Sequence, residues 1–215
     1  DSSLGGELHI KSTDAGAKIL LESTADSDAD GPILDLYRNR GANASDNDDI
    51  GIIYFSGEND ADEKLQYARI DAFIEDASDG TEDGRITFQV ISGWSNRQFI
   101  GLRSDTGGAN GEVVINESQH DIDFRIESDS TTNLFVADAS TGRIGIGTSS
   151  PDTLLHLSAG NNSTDVNNVL RFTDTDTAVV ADQMIGRIEF ETADTSNAGV
   201  NCRLDALYGG SGAGS

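Results

Sequence analysis

The chain has 215 residues, and 14 lysine and arginine residues stand against 38 aspartate and glutamate residues, so the formal net charge is -24. Such a charge argues against binding to the phosphates of a nucleic acid, and no run of about 20 apolar residues is present for a membrane span. The single cysteine, Cys202, excludes an internal disulfide and a cysteine-based zinc site. We therefore expect no nucleic-acid partner and no membrane insertion.

The composition favours turns over helices. The chain has 24 glycines, only 2 prolines and one methionine, and short polar side chains are common, whereas helix formers with long charged side chains are scarce. The sequence has no initiator methionine and ends in Gly-Gly-Ser-Gly-Ala-Gly-Ser. We expect it to be a piece or a processed product of a longer protein.

Short segments with alternating apolar and polar residues follow one another along the chain, separated by clusters of Asp, Asn, Ser and Gly. A period of two residues is typical of β-strands, and no segment has a sustained helical period. The pattern predicts an all-β chain of many short strands in repeated units. The predicted strands are 7–12, 17–23, 32–39, 49–56, 65–75, 84–92, 97–104, 112–116, 122–128, 133–138, 142–148, 154–158, 169–174, 185–192 and 202–208.

Three blocks of sequence recur in the same order. Residues 33–36 match 169–172, residues 50–55 match 185–190, and residues 69–72 match 203–206. The repeat predicts two copies of one β unit. The predicted organisation is an N-terminal strand segment (1–16), the first copy (17–76), an intervening β region (77–151), the second copy (152–208) and a Gly/Ser-rich end (209–215).

The two copies together predict which side chains face a core. In the second copy Arg187 and Glu189 alternate with Ile188 and Phe190, so the apolar pair faces inward. The inward set in both copies is Ile53, Phe55, Leu34, Leu36, Ile70, Ala72, Leu170, Phe172, Leu204 and Ala206, with Cys202 aligned to Ala68 as a small core residue.

The outward side of the first copy is less polar than that of the second. Ile52 and Tyr54 stand where the second copy has Arg187 and Glu189, and we expect a second chain to cover them. Because short strands and few aromatics give little apolar area per residue, identical chains wound about a common axis would supply the missing burial.

Residues 123–157 carry a longer motif. Phe124–Asp129 has the sequence FRIESD, Leu134–Asp138 has LFVAD, Arg143–Pro151 has RIGIGTSSP, and a short strand follows at Leu155–Leu157. This succession resembles a repeat of the tail fibres and other appendages of tailed bacteriophages, marine ones in particular. Gly145 and Gly147 flank an inward-facing Ile146, and Pro151 is expected to stop the strand.

The resemblance implies a fold and a role. It implies an intertwined, homotrimeric β-prism or β-helix-like fibre segment, located in the virion, that forms a shaft or adhesive part used in host attachment and has no catalytic activity. The implied partners are further copies of the chain, other virion proteins and a host cell-surface receptor or polysaccharide. The alternatives are a tailspike-type polysaccharide depolymerase and a secreted, calcium-dependent bacterial adhesin.

One acidic loop has the spacing of a calcium ligand set. Asp26, Asp28 and Asp30 precede Gly31 in a D-x-D-x-D-G pattern, in which alternate carboxylates converge on a hard cation. The twelfth position is Tyr37 in place of a bidentate glutamate. Calcium is therefore a candidate cofactor at this loop, and a solvated acidic turn is the alternative.

The only tryptophan lies in a polar segment. Trp94 and Arg97, within the sequence SGWSNRQF, could contact a carbohydrate or receptor, or they could pack in a trimer interface.

Overall fold

The computed structural model describes residues 8, 10–13, 16–24, 31–104, 110–160, 168–196 and 198–209. Within these ranges every regular element is a β-strand, as the sequence predicts. The chain divides into two units, Asp1–Ile122 and Asp123–Ser215. The described ranges contain no helix, because the apolar residues of these ranges recur with a period of two and not with the helical period of 3.6.

The first unit contains one antiparallel sheet in which neighbours in sequence are neighbours in space. Its order is β1-β2-β3-β4-β5. Gly93 and Trp94 join β3 to β4 and both have positive φ angles, 56° and 66°, which is the backbone of a two-residue type I′ turn. The strands are β1 (Asp49–Glu58), β2 (Lys64–Asp76), β3 (Asp83–Ser92), β4 (Ser95–Ser104) and β5 (Gly111–Ile115).

The second unit contains two smaller sheets. A four-stranded sheet has the order β6-β7-β8-β9, with its last pair parallel, and a separate hairpin is formed by β10 and β11. The strands are β6 (Phe124–Ile126), β7 (Phe135–Asp138), β8 (Arg143–Ile146), β9 (Leu155–Leu157), β10 (Met184–Thr192) and β11 (Gly199–Leu207).

The hairpins β1–β2 and β10–β11 have the same register. Ile53 pairs with Ile70 as Ile188 pairs with Leu204, and each hairpin has irregularities at the two corresponding places, next to Gly51 and Gly186 and at the far end of the ladder. Bulges are specific features that set strand twist and bend. The sequence repeat thus corresponds to a structural repeat.

Some of the alternating segments form no strand. Residues 17–23, 32–39 and 169–174 lack regular structure where they are described, and so do the described residues of 7–12. An alternating pattern makes a strand only when a neighbouring strand accepts and donates its backbone hydrogen bonds. These segments have no such neighbour within the described part of the chain.

Very little of the apolar surface is buried. Among the large hydrophobic side chains described, Val136 is the fully buried one. Of the side chains predicted to face a core, Ile53, Phe55 and Leu204 lie on sheet faces and are exposed within the described part of the chain. Leu34, Leu170 and Phe172 are also exposed, but they lie in segments without strand structure.

Candidate functional site

The five-stranded sheet has one apolar face. Directly paired residues share a face, and one row of pairs across all five strands consists of Ile53, Ile70, Phe88, Ile100 and Ile115. The next row on the same face consists of Gly51, Ala72, Ile86, Leu102 and Val113. This set of ten residues is called the apolar face below.

The apolar face is open to solvent. Phe88, at its centre, is 37% exposed, and Ile53, Ile100, Leu102 and Val113 are exposed as well. Single exposed apolar side chains are ordinary, but a contiguous patch of this kind marks a surface of interaction.

The other two sheets repeat the arrangement. In the hairpin β10–β11, Ile188, Phe190 and Leu204 share one face and are exposed. The four-stranded sheet places a matching apolar set on one face, with Phe124 and Phe135 in an edge-to-face contact at 6.1 Å between ring centroids. That set is Phe124, Ile126, Phe135, Ala137, Ile144, Ile146, Leu155 and Leu157.

The sequence predicts that Ile146 and Cys202 face a buried core, and the exposure of both residues corrects this prediction. Ile146 is 40% exposed, and Cys202 is exposed opposite Phe190. Each residue is on the side of its sheet that the alternation predicts, but no layer of the described chain covers that side. Cys202 is consequently an exposed thiol in the single chain, and the prediction of a buried core thiol is wrong for it.

The opposite face of the five-stranded sheet has a polar cluster on β2 and β3. Asp71 has no accessible surface. Its Oδ2 forms an ion pair with Arg69 Nε at 2.7 Å and accepts a hydrogen bond from Gln89 Nε2 at 2.8 Å, whereas its Oδ1 has no hydrogen-bond partner in the described part of the chain. Gln89 also donates to Thr87 Oγ1 at 3.0 Å. Buried charge is tolerated when it is paired in this way. Ile52 and Tyr54 of β1 lie on this same face, and Tyr54 is 54% exposed. Their coverage by a second chain stays a prediction.

Asp205 occupies the position of Asp71 in the second hairpin, but its surroundings differ. Arg187 Nε donates to Asp205 Oδ1 at 2.6 Å and Arg203 Nε lies 3.1 Å from Oδ2. β2 has β3 beside it and β11 lacks such a neighbour, so Asp205 stays partly exposed. The hydrogen bond from Arg187 lowers the pKa of Asp205, whereas burial raises the pKa of Asp71 against the effect of Arg69.

These two carboxyl groups are expected to affect acid stability in opposite directions. The contribution of Asp205 is present above the ordinary carboxyl pKa and is lost as the pH falls through its lowered pKa. The contribution of Asp71 is present below the ordinary value and is lost as the pH rises through its raised pKa. Between about pH 5 and pH 2, the melting temperature of Asp205→Asn should fall less steeply than that of the parent, and that of Asp71→Asn more steeply. Circular dichroism measures the three melting temperatures as a function of pH. If the parent and both variants show the same slope, both pKa assignments are contradicted.

The RIGIGTSSP motif forms β8 and the tight connection to β9. Gly147 has φ 79° and donates its N–H to Asn133 O at 2.8 Å. A Cβ at Gly147 would overlap the carbonyl oxygen of Ser158, and one at Gly145 would overlap that of Thr148. Arg143 Nη1 donates to the carbonyl oxygen of buried Pro151 at 3.0 Å. The glycines are therefore required by close backbone approach, and the strand itself ends before Pro151.

Gly147→Ala is expected to destabilise this sheet by about 2–3 kcal/mol, because the added methyl group meets backbone and the φ angle is unfavourable for alanine. Gly142→Ala is the matched control: Gly142 has φ 66° but open space around it, so only the backbone cost of about 1 kcal/mol applies. Chemical denaturation of both variants measures the difference. Equal destabilisation would show that the close approach to Ser158 is unimportant.

Trp94 and Arg97 lie on the same hairpin but differ in their freedom to bind. Trp94 is 84% exposed at the turn. Arg97 Nε donates to Ser92 O at 2.9 Å, and its Nη1 contacts His120 Nδ1. The indole is available to a partner, whereas the guanidinium is occupied within the chain. A contact of Trp94 or Arg97 with a receptor or with another chain stays a prediction.

The predicted calcium ligands Asp26, Asp28 and Asp30 lie outside the described residues. Within the described ranges no group of three or more His, Cys, Asp or Glu side chains is placed to hold a metal ion. Calcium binding at residues 26–30 therefore stays a prediction.

The buried Asp71 was not predicted from the sequence. A signal was present, since Arg69, Asp71, Thr87 and Gln89 all occupy one parity of adjacent predicted strands. What could not be known was the register of β2 against β3, which places Thr87 directly beside Asp71.

Comparisons with known proteins do not assign this chain to a family. The chain matches no protein-family model, and no curated protein matches it. No helix long and apolar enough to cross a membrane is found in the described ranges.

Proposed function

We propose that this chain is a non-catalytic structural segment of a tailed-phage appendage, such as a tail fibre, and that it works as a homotrimer. The observation that carries the proposal is the uncovered apolar face of each sheet. In the β10–β11 hairpin the opposite face is polar, since Arg187 and Asp205 are paired there on the other side of Ile188.

Copies of the same chain are the simplest partner for these faces. The proposal needs a partner that offers a similar apolar surface to both repeats, and a second copy does so by symmetry. Three copies, as opposed to two, are suggested by the resemblance of residues 123–157 to phage appendages.

A place in the virion exterior and a role in host attachment complete the proposal. The partners would be other virion proteins and a host receptor or surface polysaccharide, and exposed Trp94 is the side chain best placed for such a contact. The net charge of -24 would discourage apolar, β-rich chains from associating with wrong partners.

The mass of the protein in solution tests the proposal. Sedimentation equilibrium is expected to give three times the chain mass of 22.7 kDa, with no monomer at micromolar concentration. A stable, folded monomer would contradict it. As a check on the non-catalytic role, incubation with host surface polysaccharide should release no reducing ends, and release would favour the depolymerase alternative.

A further inference from the structure

Two segments of the chain combine a strand-like sequence with an unpaired backbone. Residues 31–38 and 168–174 precede the two repeated hairpins and alternate apolar with polar side chains, yet both lack strand structure. None of the backbone–backbone hydrogen bonds in the described part of the chain involves them. They are called the leading segments below.

Each leading segment contacts its hairpin at the same point. A Cβ added to Gly51 would lie 3.0 Å from Leu36 Cβ, and one added to Gly186 would lie 3.1 Å from Phe172 Cβ. Leu36 and Phe172 are equivalent in the repeat, and so are the two glycines. The leading segments therefore belong to the repeated unit, and each reaches the apolar side of its hairpin.

The end of each leading segment is also tied to the start of its hairpin, by different chemistry. Arg38 Nη1 donates to the backbone oxygen of Asp49 at 2.7 Å. In the second copy Gln183 Nε2 donates to Asp174 Oδ2 at 3.0 Å. The first contact is a side chain to backbone bond and the second joins two side chains, and each links the end of a leading segment to residues at the start of its hairpin.

The remaining apolar side chains of the leading segments are exposed. Ile33, Leu34 and Tyr37 are exposed in the first segment, and Val169 and Leu170 in the second. If a second chain covers these side chains, it also removes water from the backbone between them. Buried N–H and C=O groups must then be hydrogen-bonded within protein, because an unpaired one costs about 1–3 kcal/mol.

We propose that both leading segments are inter-chain β-strands, formed when residues 31–38 and 168–174 pair with a second copy of this chain. Such pairing satisfies the backbone and buries the apolar side chains in one step. This pairing adds a strand to an exposed sheet edge. In the described part of the chain, β1, β10 and β11 each have a free edge. The inference rests on the proposed homo-oligomer and assigns the segments that join its chains.

Hydrogen exchange, read residue by residue by NMR on the assembled protein, tests this assignment. At least every second amide in 33–37 and 169–173 is expected to exchange more than 100-fold slower than in the dissociated chain, because alternate amides of an edge strand point at the partner. The amides of 42–44, which form no backbone hydrogen bonds in the chain, are the control and should exchange fast in both states.

The outcomes separate this inference from the proposed function. Fast exchange in both leading segments of a protein with the trimer mass would overturn the inter-chain strands and leave the homotrimer intact. A monomeric protein would overturn both. Protection that persists after dissociation would show pairing within one chain and would also overturn the inference.

Discussion

Replacing Asp71 with alanine is expected to lower the free energy of unfolding by about 3–4 kcal/mol. Asp71 has no accessible surface, and its carboxylate is the acceptor for Arg69 and Gln89. Removing it leaves the half-buried guanidinium of Arg69 without its carboxylate, while Gln89 keeps only its hydrogen bond to Thr87. The cost of an uncompensated charge is larger than that of a lost contact. Urea denaturation followed by the far-ultraviolet circular dichroism of the β-sheet measures the change.

Asp205→Ala is the matched control for Asp71→Ala. Asp205 holds the same place in the repeat and pairs with Arg187 and Arg203, but its partners are open to water on a two-stranded hairpin. Exposed ion pairs contribute about 0–1 kcal/mol, so calorimetry should record a small change. If Asp205→Ala lowers the free energy of unfolding as much as Asp71→Ala does, the burial of Asp71 between β2 and β3 is not the cause of its effect.

Phe88→Glu is expected to convert the assembled protein to single chains. Phe88 is at the centre of the apolar face, between Ile70 and Ile100. The substitution removes an aromatic ring worth about 1.5–3 kcal/mol of burial and places a carboxylate in an apolar contact, at a further cost of several kcal/mol in each chain. Sedimentation equilibrium should show the chain mass where the parent shows three times that mass.

Asn96→Asp controls for the added charge. Asn96 is exposed on β4 and accepts a long hydrogen bond of 3.5 Å from Gln66, which an aspartate can also accept. We expect this variant to assemble as the parent does. A Phe88→Glu protein that keeps its β-sheet circular dichroism and its assembled mass would show that the apolar face is not the interface.

The sequence was a good guide to the fold class and to the repeat. The alternation of Ile188 and Phe190 with Arg187 and Glu189 depends only on the geometry of a strand, and the structure has these residues on the predicted sides. The positions of the bulges follow the repeat because both hairpins share their pattern of glycine and apolar residues.

Pairing partners were harder to predict than faces. The segment containing Leu34 and Leu36 has the same alternation as β3, but of the two only β3 pairs with other strands in the described part of the chain. Alternation reports which side of a strand is apolar, and it contains no information on what lies next to the strand. The same limit applied to Asp71, whose burial depends on the β2–β3 register.

The contact between Gly51 and Leu36 bears on how such a unit can diverge after duplication. The partner side chain is Leu36 in one copy and the larger Phe172 in the other, while the hairpin keeps glycine at both places. A side chain can change size by shifting outward, whereas a Cβ on the hairpin would push against it from a fixed backbone. Substitutions are therefore expected to be tolerated less at these two glycines than at Leu36 and Phe172, and a further copy of the unit should keep glycine at this place even where the rest of its sequence differs.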